Sequence, residues 1–389
     1  MRQCVKIEKI INLLFSFLIL FSLNSVFVWS GLGKGIYVLS VLCLLCAVLF
    51  LVKNSPFQTS REGLKLAIIL TCISLYLGWT WDTIHLGMLG PLNLVLVFSY
   101  LILSERIQVL IGQKFITIFT IIVFLTLLSW LVNISLGIYS VPVSQPSTKV
   151  AAELTYQISI LGEIFPSGVV GIYRYQGIFD EPGVMGTICA LLLCSKIYYT
   201  RFQFILLLIA GLASMSTAFI LILTVYFFFL KPFKALVIYL PIGAFLIFMT
   251  REIPMLGYLF YTKINNLLFK GESNRVSDSA EKFIDIENNK LDVWHFIFGR
   301  GYGYVSSQKT DISSWQVIWI DSGALGLLLV LLALTCCAVA KRVNLIYAIP
   351  FFMAFIASFM QRPGIFNLFY IFIFCTAMLI CTKVESKRI

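Results

Sequence analysis

Charge is scarce in this chain and histidine almost missing. Only 12% of the 389 residues are Asp, Glu, Lys or Arg, and His85 and His295 are the two imidazoles. The long polar stretches contain no cysteine, so they offer no His/Cys cluster for a metal and no disulfide framework. The ten cysteines (Cys4, Cys43, Cys46, Cys72, Cys189, Cys194, Cys336, Cys337, Cys375, Cys381) lie in apolar runs or at their ends. Cys43-x-x-Cys46 falls inside such a run, where small polarisable packing residues are expected. The sequence has no Gly-x-x-x-x-Gly-Lys-Ser/Thr loop for nucleotide phosphates and no Ser/His/Asp arrangement. ATP and zinc chemistry therefore have no support, and neither a metal nor a cofactor is expected.

Apolar residues dominate instead, at 60% of the chain with mean hydropathy +0.95. Apolar runs recur at 10–28, 36–52, 64–80, 88–103, 115–139, 183–200, 202–230, 235–250, 315–340, 343–360 and 365–382. Most are about long enough to cross a hydrocarbon core of roughly 30 Å. No hydrophilic block is large enough for a soluble domain. The expected fold is therefore an all-α polytopic integral membrane protein, residues 1–389 forming one membrane domain. Met1 to Lys9 is basic and precedes an apolar run with no small-x-small cleavage site, which reads as an uncleaved first span with a cytoplasmic N-terminus.

Run 202–230 decides the topology. As one crossing it leaves Lys341, Arg342, Lys387 and Arg388 outside, against the preference of basic residues in short loops for the cytoplasm. As two short crossings turning at Ser214-Met-Ser216-Thr217, it puts them inside. Cytoplasmic segments then hold 17 Lys/Arg against 4 acids, and outside segments 12 against 14. The chain's formal net charge of +11 is thus a topology signal and does not point to nucleic acid. Two crossings in this run have only about 44 Å of helix to share, so they must be short, tilted or re-entrant. About twelve transmembrane helices are expected, with both termini cytoplasmic and two long extracytoplasmic loops, 140–182 and 251–314.

Both loops carry apolar residues at helical spacing: Leu154, Ile158, Leu161 and Phe165 in the first, Phe283, Ile286, Leu291, Trp294 and Phe298 in the second. Each pattern predicts a short amphipathic helix on the bundle or the outer interface.

The most informative stretch is Arg174-Tyr-Gln-Gly-Ile-Phe-Asp-Glu-Pro-Gly-Val-Met-Gly186, directly before an apolar run. A cation and two carboxylates at a helix mouth in a membrane protein are costly unless they bind something polar. Arg174 could snorkel to lipid headgroups, or grip a diphosphate or carboxylate in two-pronged fashion. Glu181, more than Asp180, could take a proton from an attacking hydroxyl or serve as a structural acid paired with Arg. In the second loop, Arg275 and Arg300 are candidate cations. Arg300 lies in Gly299-Arg-Gly301-Tyr-Gly303, where glycines allow a phosphate or sugar to come close. His295 beside Trp294 and Asp321 inside an apolar run are candidate binding groups. His85 and Asp82 read as interfacial, and Asp285-x-Glu287 as charged surface.

In these motifs the chain resembles the bacterial O-antigen and capsule repeat-unit polymerases (Wzy type), related to O-antigen ligases. The resemblance rests on the Arg174–Gly183 segment, Ala213-Ser-Met-Ser-Thr217 between two short spans, Arg275 leading an outer loop, Phe298-Gly-Arg-Gly-Tyr-Gly303, and Asp321-Ser-Gly-Ala-Leu-Gly326. It covers roughly residues 165–330; the remainder matches only as apolar spans. Ligases tend to have an Arg after the turn and a His-Asn pair near the last glycines. Here Ala218-Phe219 and Ser313-Ser314 stand in those regions, which favours a polymerase.

The resemblance implies a GT-C-like membrane glycosyltransferase in the bacterial cytoplasmic (inner) membrane. It would move a growing glycan from polyprenyl diphosphate onto a new lipid-linked oligosaccharide, working beside a flippase and a chain-length regulator. Arg174, Arg275 and Arg300 would meet the departing diphosphate, Glu181 or Asp321 would serve the acceptor hydroxyl, and Asp180, His295, Gly301 and Gly303 would line the site. An O-antigen ligase, a lipid-linked oligosaccharide flippase without chemistry, and a structural partner of the wall machinery are the other readings.

Overall fold

In a run of side chains that cannot hydrogen-bond, a helix satisfies the backbone within its own segment, and the apolar runs fold accordingly. The computed structural model describes residues 2–23, 25–28, 31–54, 59–77, 89–136, 142–145, 154–159, 163–166, 174–179, 181–197, 200–231, 278–289, 292–301, 303–308, 315–340, 345–362 and 367–385. Every expected span falls on a helix except 235–250, which lies outside the described residues. In order they are α1 (Arg2–Phe21), α2 (Gly31–Asn54), α3 (Arg61–Tyr76), α4 (Leu89–Ile102), α5 (Glu105–Leu136), α6 (Pro182–Ser195), α7 (Arg201–Ala213) and α8 (Thr217–Leu230). Three short helices follow, α9 (Asp278–Asn289), α10 (Val293–Phe298) and α11 (Tyr304–Ser307). The chain ends with α12 (Gln316–Ala340), α13 (Leu345–Gln361) and α14 (Leu368–Glu385).

Residues Gly33–Asn54 of α2, and the whole of α5 and α12, are long and apolar enough to cross a bilayer. Shorter apolar helices make up most of the rest, and together they mark a membrane-associated protein.

The core gathers around α14, in which Leu368 to Leu379 are all buried. The Phe372 ring lies edge-on to Tyr100 of α4 and to Phe115 of α5. Tyr100 Oη and Thr376 Oγ1 share a hydrogen bond of 2.9 Å between α4 and α14. The turn from α4 to α5 is closed by Gln108, whose Nε2 donates to the carbonyls of Tyr100 and Leu103 at 3.1 Å each. That buried amide satisfies helix-end acceptors which apolar surroundings would leave bare.

Run 202–230 breaks where serines interrupt it. α7 begins with a Thr200/Gln203 capping box and stops at Ser214; α8 resumes at Thr217, with Met215 between them at φ 45°. The turn is sharp enough for the Phe219 ring to lie over Gly211, leaving no room there for a Cβ. Both short helices pack against α6.

In the first loop, the helical expectation for 154–165 is corrected. β1 (Pro142–Gln145), β2 (Leu154–Ile158) and β3 (Ile164–Pro166) form an antiparallel sheet in the order β1-β2-β3, with Val143 opposite Tyr156 and Gln157 opposite Phe165. Leu154 and Ile158 share a face in a strand as well as in a helix. Thr155, Tyr156 and Ile158 favour the pleat, and pairing across the loop supplies partners that spacing alone does not reveal.

The second loop does form helices, α9 and α10, but α9 buries Ile284 and Glu287 and leaves Ile286 exposed. α10 (VWHFIF) has no buried residue; Val293 and Trp294 are 73% and 71% exposed. Its Phe296 ring stands edge-on to Trp319 of α12.

Candidate functional site

Residues 174–179 form a buried strap that determines where Arg174 and Glu181 stand. Tyr175 N–H donates to the Ala213 carbonyl at the end of α7 (3.1 Å), and the Gly177 carbonyl accepts from Ile164 N–H of β3 (2.8 Å). The Ile178 carbonyl accepts from Val26 N–H (3.0 Å), while Tyr175 Oη and Thr126 Oγ1 of α5 lie 2.6 Å apart. Tyr175, Gln176, Ile178 and Phe179 are each at most 1% exposed. A strap tied at four points by buried residues holds its ends on a rigid frame, as a binding site requires.

At one end, Arg174 reaches the break between α7 and α8. Its Nε donates to the Ser214 carbonyl at 3.0 Å and its Nη2 to the Met215 carbonyl at 2.9 Å. These carbonyls leave α7 unpaired at its C-terminus, where a cation is also favoured by the helix dipole. Nη1 of Arg174 makes no hydrogen bond among the described residues. Burial pushes the Arg174 guanidinium down from its ordinary value, and the nearby Glu181 carboxylate pushes it back up.

At the other end, Glu181 stands immediately before Pro182 and caps α6 without a side-chain bond to the helix. Its Oε2 accepts from Arg362 Nη2 at 2.6 Å, both side chains being about a fifth to a third exposed (19% and 31%). Arg362 Nε is buried with no partner among the described residues. Glu181 is thus paired with Arg362 and also within electrostatic reach of Arg174, at the positive end of a helix. Gly186, one turn into α6, has Ser214 and Ser216 where a Cβ would go, so the helix mouth and the break touch directly.

Arg362 was not singled out in the sequence. It is the lone charge in the short connection between α13 and α14, and that was the available signal. Glu163 was also passed over. It is fully buried, with Oε2 accepting from Asn133 Nδ2 at 3.0 Å and its N–H donating to Ser159 Oγ at 3.0 Å. It adjoins the strap through Ile164.

The Gly299–Gly303 segment builds a second unit around the start of α12. Arg300 N–H donates to the Ile320 carbonyl (2.8 Å) and Gly301 N–H to the Asp321 carbonyl (3.0 Å). Asp321 was expected to line a site or act as a base. It is 7% exposed, and its two oxygens accept from Gly303 N–H (3.2 Å) and Val305 N–H (3.0 Å), which holds the loop in place. Opposite it, α12 is interrupted at Gly323, φ 63°, and Gly299 has φ 76°. Each glycine lies against the other segment's backbone, with no room for a Cβ at either.

Arg300 itself faces Glu287 of α9, its Nε 2.8 Å from Oε2, and Tyr304 Oη donates to Oε1 at 3.1 Å. Glu287 is 5% exposed, which corrects its reading as surface; Asp285 is exposed as expected. A cation fixed against a buried carboxylate braces α9 onto the loop. Gly301 has open space around it and could admit a ligand.

His295 is spent locally: its Nδ1 lies 2.8 Å from Asp292 Oδ1, the cap of its own short helix. The backbone N–H of His295 holds the Asp292 carboxyl below its ordinary value. Asp180, Arg275, His85 and Asp82 lie outside the described residues.

The structure therefore joins Arg174, Glu181 and the Ser214–Ser216 break, and adds Arg362. It joins Arg300, Gly301, Gly303 and Asp321 in a separate cluster. Trp315 N–H, leading into α12, reaches the Met360 carbonyl two residues before Arg362 at 3.5 Å. No protein-family model, curated protein or solved structure matches the chain.

Proposed function

We propose that this chain is a membrane glycosyltransferase of the repeat-unit polymerase type, with a polyprenyl-diphosphate-linked oligosaccharide as substrate. The observation that carries the reading is the Arg174–Glu181–Arg362 group, two guanidiniums about one carboxylate at the mouth of α6, framed by apolar helices. The planar fork of Arg suits phosphate oxygens, and cations near a departing diphosphate lower the barrier to its release.

In the proposed reaction, a hydroxyl oxygen of the new lipid-linked repeat attacks the anomeric carbon of the growing glycan. The bond from that carbon to the diphosphate oxygen breaks, and the diphosphate leaves with the electron pair. The hydroxyl proton passes to a carboxylate, for which Glu181 is the candidate once its pair with Arg362 opens onto the incoming phosphate. Asp321 is not offered as the base, because backbone N–H groups occupy both its oxygens.

The proposal takes the chain to cross the bacterial cytoplasmic membrane twelve times, with both termini inside and 140–182 and 251–314 outside. The basic bias of the inside segments and the sharp turn at Ser214–Ser216 support it. A cysteine placed at Ser279 is then expected to react with an impermeant maleimide on intact cells. Reaction only after permeabilisation would mean that 202–230 crosses once.

The function is tested by incubating the purified full-length protein with lipid-linked repeat and resolving the products by size. A ladder of multimers is the expected result. Repeats that change leaflet without lengthening would favour a flippase and sink the reading.

A further inference from the structure

Two helices whose charges stop at the same level leave a groove between them. α5 carries Glu105, Arg106 and Lys114 near its start and no charged residue from 115 to 136. That uncharged stretch is about 33 Å long at 1.5 Å per residue, close to the roughly 30 Å of the hydrocarbon core. Lys114 accordingly sits where hydrocarbon gives way to headgroups. α1 repeats the pattern, with Arg2, Lys6, Glu8 and Lys9 followed by no charge up to Phe21.

α1 and α5 pack together, and between them lies a groove of about 540 Å³ lined by Lys9, Asn12 and Leu13 of α1 and by Gln113, Lys114 and Thr117 of α5. Both lysines are exposed, and neither has a carboxylate partner among the described residues. Glu8, beside Lys9 in sequence, is buried and faces Arg106 at 3.9 Å. Asn12 Oδ1 is buried with no donor. Thr117 gives its hydroxyl proton to the Gln113 carbonyl at 2.9 Å and can only accept from a ligand. The groove thus offers two cations for an anion and one exposed oxygen acceptor, Thr117 Oγ1, for a hydroxyl. Leu13, 40% exposed, adds apolar surface beside them.

We infer that this groove holds the headgroup of an anionic glycerophospholipid. Its phosphate lies between the Lys9 and Lys114 ammoniums, a headgroup hydroxyl donates to Thr117 Oγ1, and an acyl chain runs along Leu13. Paired lysines at an interface favour anionic lipid. A zwitterionic headgroup brings its own cation against the lysines. The inference does not depend on the glycosyl-transfer reading, since the groove lies on α1 and α5 and shares no residue with the Arg174 group.

The test is native mass spectrometry of the full-length protein in detergent, titrated separately with phosphatidylglycerol, phosphatidylcholine and inorganic phosphate. Phosphatidylglycerol is expected to be retained at about tenfold lower concentration than phosphatidylcholine. That preference should be lost in Lys9→Gln/Lys114→Gln and kept in Lys9→Arg/Lys114→Arg. Equal retention of the two lipids by the wild type overturns the inference, whether or not the neutral variant folds. So does an undiminished preference in the neutral variant. Inorganic phosphate displacing the lipid at matching concentration would assign the groove to a free anion and overturn it too.

Discussion

Arg174→Ala is expected to cut glycan elongation by about a hundredfold or more, the usual loss when one fixed donor to a developing negative charge is removed. Arg174 bonds two helix-end carbonyls and still has Nη1 free of partners among the described residues. It can therefore brace the Ser214–Met215 break and meet a phosphate with the same guanidinium. Losing the brace leaves two carbonyls wanting donors, at about 1–3 kcal/mol each if they stay dry.

Protein amount and a monodisperse gel-filtration profile must accompany the activity to separate these two roles. Arg174→Lys keeps the charge but cannot span both carbonyls, and is expected to restore elongation only in part. Polymer of normal length from Arg174→Ala would return this residue to a purely structural brace.

The helices were legible in the sequence because each apolar run must hide its own backbone, and that constraint is local. The break in 202–230 was legible for a different reason, since the placement of basic residues elsewhere in the chain called for a turn there. The sheet was not legible. β1, β2 and β3 are three to five residues long and find their partners across the loop, while Leu154 and Ile158 fit either period.

The Arg174–Gly186 segment stood out by its cost, but the partner of its Glu181 is Arg362, 181 residues away in the chain. No spacing rule joins them. Glu287 was misjudged as surface, and the partners of Asp321 went unseen, for a related reason. One looked like a solvated acid and the other like a site acid, but each is held by long-range partners, Arg300 and Tyr304 for Glu287, the amides of Gly303 and Val305 for Asp321. An acid's role follows from what fills its lone pairs, and those neighbours come from the fold.

If Arg174 and Arg362 grip a diphosphate at the mouth of α6, equilibrium binding reveals it without waiting for turnover. The full-length protein in detergent is titrated with a short-chain polyprenyl diphosphate bearing one sugar, alongside Arg174→Ala, Arg362→Ala and the double variant. A charge-assisted hydrogen bond is worth about 1.5–3 kcal/mol, so each single change should weaken binding by about tenfold or more. The double variant should not bind measurably. Wild-type affinity in Arg174→Ala and Arg362→Ala, with both variants folded, would contradict the account.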